Sequence, residues 1–275
     1  TAMGRSTAAS ALYSTAMGRS TAASALYSTA MGRSTAASAL YSTAMGYGTD
    51  ASGYFSTAMG SSTTASALYS TAMGDGTIAS GSRSTAMGSY TTASDYASLS
   101  IGRYNSVNST VTVGGNATSF DTDNAAFVIG NGYVDNSDWM NPITVNSDAF
   151  VVYFNGNATL SGDLTINSDA RLKDNIQPLG STLNKLHQIE GKTYSFKKDE
   201  EHTPKIGVLA QEVQAVFPEL VTEGGDGILS VNYQGLVPVL INAINEQDAK
   251  IAALEEMVRF LAVQQSQTTS SVAAN

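Results

Sequence analysis

Cysteine is absent from the 275 residues, so no disulfide framework and no thiolate metal site is available. Stability in an oxidising environment then has to come from burial and association. Two histidines with no histidine–carboxylate cluster argue against a metal enzyme, and neither a metal nor a cofactor is expected. No run of about 18 apolar residues occurs, so no helix is expected to span a membrane and no membrane insertion is expected. A net charge of −9 disfavours nonspecific binding to nucleic acid. The chain opens without Met, in the middle of a repeated phrase, and reads as a fragment or processed product of something longer.

The most telling scarcity is local. Up to Asn167 there is no Lys and no Glu, only 5 Arg and 9 Asp; from Ser168 onward there are 7 Lys, 2 Arg, 5 Asp and 9 Glu. The material changes at 167/168, from a Gly/Ser/Thr/Ala/Asn-rich region to an ordinary charged one.

What fills the first part is a 14-residue phrase, Thr1-Ala2-Met3-Gly4-Arg5-Ser6-Thr7-Ala8-Ala9-Ser10-Ala11-Leu12-Tyr13-Ser14, said seven times in succession with an eighth partial copy ending at Gly102. A short fixed period implies stacked, quasi-one-dimensional structure. Within the phrase Ala2 aligns with Ala9 and Gly4 with Ala11, a half-period of seven. Small residues alternating with Ser and Thr mark strands, and Gly marks a corner. Each phrase is expected to be one coil of a β-solenoid with two short strands and two turns. Seven coils at about 4.8 Å stand roughly 34 Å tall. Met3, Met17, Met31, Met45, Met59, Met73 and Met87 are expected to fill an otherwise alanine-lined roll. So small a core implies several chains sharing it.

Arg5, Arg19 and Arg33 stack as like charges, repelling by about 0.9 kcal/mol per pair in water. They are either a solvated ladder or an anion contact. Tyr13, Tyr27, Tyr41, Tyr47, Tyr54, Tyr69, Tyr90, Tyr96 and Tyr104 are either sugar-stacking platforms or seams between subunits. The phrase resembles the head repeat of trimeric autotransporter adhesins, which implies a trimeric parallel β-roll over residues 1–104 and a surface for a cell-surface receptor or glycan.

From 105 to 167 the pattern becomes a β-rich neck, with Ala126-Phe127-Val128-Ile129 and Phe150-Val151-Val152-Tyr153-Phe154 as strands and Asn131-Gly132 and Asn155-Gly156 as hairpin signals. Asp121 and Asp123 lack the Gly and terminal Glu of a calcium loop and read as a solvated turn.

At the boundary stands Asn167-Ser168-Asp169-Ala170-Arg171-Leu172-Lys173. Alone, Ser-Asp before a charged run is a helix N-cap. Downstream follow Ile206-Gly207-Val208-Leu209-Ala210-Gln211-Glu212-Val213, Phe217-Pro218-Glu219-Leu220 and Ser230-Val231-Asn232-Tyr233. Together these resemble the endosialidase-type C-terminal intramolecular chaperones of phage tail fibres and tailspikes, which release themselves as serine peptidases. The resemblance implies a nucleophile at Ser168, a catalytic lysine at Lys173, a scissile bond at Asn167-Ser168 and supporting roles for Asp169 and Arg171. It departs in the short segment between Lys173 and Gly207, which leaves little room for long projecting hairpins.

The chemistry has its own requirements. A serine hydroxyl needs a base, and a lysine serves when burial lowers its pKa toward about 7 to 8. Five positions along an α-helix turn two side chains about 140° apart. The pair therefore needs an irregular turn or a lysine from a neighbouring chain.

Val237, Leu240, Ile244, Gln247, Ile251, Leu254, Val258 and Leu261 recur at alternating spacings of 3 and 4, a heptad seam with one polar position. The alternative is a single amphipathic helix docked on its own domain. Pro238 suits its first turn. The expected architecture is mainly β: a trimeric solenoid (1–104), a neck (105–167), an α+β chaperone and self-cleavage domain (168–231), a C-terminal trimeric coiled-coil helix (232–264) and a flexible tail (265–275). The expected function is that of a virion tail fibre or extracellular surface fibre, a homotrimer with a disposable chaperone. The alternative is a bacterial trimeric adhesin whose C-terminal domain does not cut; against it, the alternating strands of a membrane β-barrel are missing after 231. Ice binding is disfavoured by the bulky Leu12-Tyr13. No paired carboxylates in residues 1–167 suggest a polysaccharide-cleaving site.

Overall fold

A computed structural model describes residues 1–106, 111–138, 140–197 and 202–272, and the chain divides into two compact units, Thr1–Asn167 and Ser168–Asn275. In the first, each phrase forms a five-residue strand, as at Thr15–Arg19, and a two-residue strand, as at Ala22–Ala23. Successive copies pair in parallel, phrase on phrase, with Met17 opposite Met31 and Gly18 opposite Gly32. The long strands build one sheet and the short strands a second, so that each coil crosses both.

The two turns of each coil both pass through the left-handed region. At the sixth position stand Ser6, Ser20, Ser34, Gly48, Ser62, Gly76, Tyr90 and Tyr104; at the thirteenth stand Tyr13, Tyr27, Tyr41, Phe55, Tyr69, Arg83 and Ala97. Such a φ is costly for a bulky residue. The thirteenth-position rings offset that cost by stacking, with centroids 4.8–5.0 Å apart from Tyr13 through Tyr69.

The interior is narrower than the sequence suggests. Fully buried alanines from the second position (Ala16 through Ala86) and the ninth (Ala23 through Ala93) form one continuous core. The methionines do not fill it. Met3 and Met17 are 56% and 38% exposed, and Met31 through Met87 are half-buried. The expectation fails because side chains alternate across a strand: with Ala16 pointing inward, Met17 must point outward.

Beside the alanines runs a column of buried threonines, Thr21, Thr35, Thr49, Thr63, Thr77 and Thr91, whose Oγ1 atoms have no hydrogen-bond partner among the described residues.

The solenoid does not end with the last phrase. Leu99–Arg103 pairs in parallel with Ala125–Asn131, Leu99 opposite Phe127 and Gly102 opposite Gly130, two whole periods further along the chain. The detour is locked by buried polar groups. The Asp95 carboxylate accepts from the Thr112 amide (2.8 Å), the Thr112 hydroxyl (2.6 Å) and the Ala125 amide (2.7 Å). Asn105 accepts from the Thr92 amide and donates to the Thr92 carbonyl, capping the short-strand sheet as another strand would. Asn155-Gly156 makes the expected hairpin, between Asp148–Tyr153 and Ala158–Leu160. Asn131-Gly132 does not: Tyr133–Asp135 leaves the preceding strand to pair with Ile143–Val145. Gly132 serves a close crossing instead, where a Cβ would lie 2.3 Å from the carbonyl oxygens of Tyr104 and Val145. The Asp121 carboxylate accepts from the Asp123 amide within its own turn.

The second unit is small. Val213 and Phe217 from helix Ala210–Val216 pack against Val239, with Leu186, Ile189, Val208, Leu220 and Val231 around them. Its last element is a helix, Leu236–Val272, with Pro238 in the first turn. It runs through residues 265–272, where a flexible tail was expected; no Gly or Pro follows Pro238 to break the backbone ladder. Residues 273–275 of that expected tail lie outside the described residues.

An orphaned hydroxyl in an alanine-lined core costs free energy without returning any. Thr63→Val keeps the shape and removes the penalty. It should stabilise the solenoid by about 1 kcal/mol and raise Tm by roughly 2–4 °C, measured by calorimetry.

Candidate functional site

The boundary segment folds as an irregular turn. Ala170–Leu172 is a single turn of 3₁₀-helix, and its N-cap is Asp169, whose side chain accepts from the Arg171 amide. The capping role thus falls to Asp169 and leaves the Ser168 hydroxyl free for another partner. The turn closes with the Lys173 amide on the Ala170 carbonyl, and Lys173 is itself extended. A tighter turn that then straightens removes the α-helical divergence between the fifth-neighbour side chains. Lys173 Nζ lies 2.7 Å from Ser168 Oγ, within hydrogen-bonding distance.

Asp169 and Arg171 form a two-point pair on the same turn. Arg171 Nε is 3.0 Å from Asp169 Oδ1 and its terminal nitrogen 2.6 Å from Oδ2. The guanidinium, and after it the Arg171 amide, hold the Asp169 carboxyl below its ordinary value. The same pairing raises Arg171. Together the four side chains span one surface turn, with Ser168 and Lys173 on one pair and Asp169 and Arg171 on the other.

All of it is exposed. Residues 156–181 carry no buried position, and Leu164, Ile166, Leu172, Ile176 and Leu179 all show large apolar side chains to solvent. The turn can align a hydroxyl with an amine, but within one chain nothing excludes water from it.

The arm is rooted where it meets the C-terminal helix, through residues that sequence patterning does not single out. Glu246 accepts from the Ser181 hydroxyl (2.8 Å), the Thr182 amide (2.6 Å) and the Thr182 hydroxyl (3.2 Å). Asn242, one turn earlier, donates to the Gly180 carbonyl and to Glu246. The Thr182 amide, followed by the Ser181 hydroxyl, holds the Glu246 carboxyl below its ordinary value. The available signal was a polar pair four apart, Asn242 and Glu246, beside the buried Val239 and Ala243.

The heptad positions lie elsewhere on that helix. Val237, Leu240, Ile244, Ile251, Leu254, Val258 and Leu261 are 47–64% exposed, and Gln247 is exposed with them. The helix docks on its own domain through Val239 and Ala243 and leaves the heptad seam uncovered. Among the described residues no helix is long and apolar enough to cross a membrane, and no group of three or more His, Cys, Asp or Glu is placed to hold a metal ion.

Residues 168–222 match the family described as the chaperone of endosialidase, and that match begins at Ser168 itself. Residues 1–21, 23–49, 51–77 and 79–105 match the YadA head domain repeat. Among curated proteins, the chain is similar to the long tail fiber protein Gp37 of Escherichia phage AR1, 39% identical over 97 residues, which is 32% of this chain and 9% of that protein. It is also similar to that of Enterobacteria phage K3, 32% over 161 residues, 54% of this chain and 12% of the relative, and to that of Salmonella phage S16, 30% over 133 residues, 42% and 18%. The chain thus spans less than a fifth of the length of these relatives.

The Asp169–Arg171 pair has a titration signature. Because the folded carboxyl is depressed, its contribution to the turn is present above the unfolded value and is lost as pH falls through the folded one. A carboxyl-carbon NMR titration should give Asp169 a midpoint below the ordinary aspartate value. In Arg171→Ala that midpoint should move up toward it.

Proposed function

We propose that this chain is the C-terminal part of a trimeric, virion-associated tail fibre, in which a β-solenoid and neck are followed by an intramolecular chaperone that assembles three chains and then cuts itself free between Asn167 and Ser168. The observation that carries the reading is the 2.7 Å approach of Lys173 Nζ to Ser168 Oγ, at the residue where the chaperone match begins. The tail-fibre part rests on the relatives, which are long tail fiber proteins. Binding of a cell-surface receptor or glycan belongs to the same reading, with the exposed solenoid as the presenting surface.

The step follows from the serine being both the nucleophile and the residue after the cut. Ser168 Oγ adds to the carbonyl carbon of Asn167 while the neutral Lys173 amine takes the hydroxyl proton. The C–N bond breaks as that proton passes to the Ser168 nitrogen, leaving Asn167 esterified to Ser168 Oγ. Water then hydrolyses the ester, giving the Asn167 carboxylate and a free Ser168 hydroxyl and α-amine. An ammonium cannot take a proton, and burial favours the neutral amine. An exposed arm with five unpartnered apolar side chains obtains such cover from neighbouring chains. On this reading the cut waits for assembly.

Assembly is assigned to the heptad seam. Three copies bury the face from Val237 to Leu261, with Gln247 as the one polar layer. The half-buried methionine row marks the part of the solenoid where chains share apolar surface.

Intact-mass measurement tests the cleavage. The parent chain should give two fragments split between Asn167 and Ser168, while Ser168→Ala and Lys173→Ala should each remain one chain of unchanged oligomeric mass. Two fragments from Ser168→Ala would sink the proposal. Ile251→Asp tests the seam: a carboxylate in each chain should raise the concentration needed for the trimer more than 100-fold, about 3 kcal/mol, as read by analytical ultracentrifugation.

A further inference from the structure

The uncovered groove beside Tyr194, Phe196, Ile228 and Tyr233 has no described segment that fills it, and the stacked tyrosine column spends its ring faces on itself. The Glu246 cluster carries more. One carboxylate gathers the Ser181 hydroxyl, the Thr182 amide and the Thr182 hydroxyl, and Asn242 on the same helix face adds the Gly180 carbonyl. Thr182 is buried and its hydroxyl also reaches the Val239 carbonyl (3.2 Å). Upstream of Ser181 the arm is exposed at every residue back to 156.

We infer that Glu246 is a positioning residue for the self-cleavage reaction: it roots the arm bearing Ser168 and Lys173 on the helix that carries the heptad seam, so that assembly of that helix fixes where the reacting pair is presented. The inference rests on the self-cleavage reading above. Its physical basis is tether length. With the clamp closed, eight residues separate Lys173 from its anchor at Ser181; with it open, the next anchored side chain is Leu186 in the core, thirteen residues away. Effective concentration falls as about the −3/2 power of length, which sets a loss of about 2-fold before any loss of orientation. Glu246 sits between Ile244 and Gln247 of the seam, so the anchor moves with the helix.

The experiment uses the full chain and reads cleavage half-time, oligomeric mass by native mass spectrometry, and hydrogen exchange at the Thr182 amide. Glu246→Ala should keep the oligomeric mass, expose the Thr182 amide to at least 10-fold faster exchange, and lengthen the half-time at least 2-fold. Glu246→Gln, which retains an oxygen acceptor for that amide, should recover the parent half-time. A five-residue Gly/Ser insertion between Leu179 and Gly180 leaves clamp and helix intact and should slow the cut by about 2-fold, which decides the matter if Glu246→Ala does not assemble. An unchanged half-time in the insertion variant, or in an assembled Glu246→Ala, overturns the positioning role alone, as does a Gln variant as slow as Ala. A parent chain that never cuts overturns the self-cleavage reading, and the positioning role with it.

Discussion

The approach of one coil to the next at the fourth position of each phrase leaves no room for a side chain. Gly4, Gly18, Gly32, Gly46, Gly60, Gly74 and Gly88 hold φ between +120° and +128°, and a Cβ on any of them would lie 1.9–2.1 Å from the carbonyl oxygen of the next glycine. That contact sets the stacking distance along the long-strand sheet. The stacking distance in turn lets the alanines close the core and brings the thirteenth-position rings into contact. The column continues through Gly102 onto Gly130, which is why the neck's first long strand belongs to the solenoid's sheet despite a sequence that no longer repeats.

A structure built on one repeated contact is cheap to specify and poor at specifying itself. Copies one to three are identical, so a slip of one phrase between chains places the same residues against the same residues. Inside one chain the ambiguity ends at Asp95, Asn105 and Asn124, whose buried hydrogen bonds occur once and fit one arrangement. Between chains nothing in the identical phrases distinguishes one register from the next. A heptad seam with a single polar layer at Gln247 supplies that distinction, since only one alignment of three helices pairs glutamine with glutamine.

The period, the parallel coil, the two turns per phrase and the material change at 167/168 were legible because each is written in residue type at fixed spacing. Three things were not. The methionine row was assigned to the interior by size, whereas strand alternation from Ala16 decides its face. The return of the sheet at Ala125–Asn131 is hidden because Ala-Met-Gly becomes Val128-Ile129-Gly130 after a long detour, so only the glycine survives as a marker. Asn131-Gly132 has turn composition, yet a close crossing of backbones selects glycine as strongly as a turn does. At the candidate site the motif Ser168 to Lys173 was legible, and so was its need for an irregular turn. That Asp169 rather than Ser168 makes the cap, freeing the hydroxyl for Lys173, is a competition between neighbouring side chains that only geometry resolves.

Exposure gives these parts their order in time. A serine and a lysine in contact on a solvated turn are aligned yet not desolvated, and a heptad face half open to water is folded yet not partnered. Both deficits have the same remedy, other copies of the chain, and they are joined through Glu246, which belongs to the seam helix and holds the arm. A reaction that depends on cover supplied by assembly cannot run ahead of the assembly. The bond between the interchangeable phrases and the module that aligns them is therefore the one bond whose breakage can report that alignment is complete.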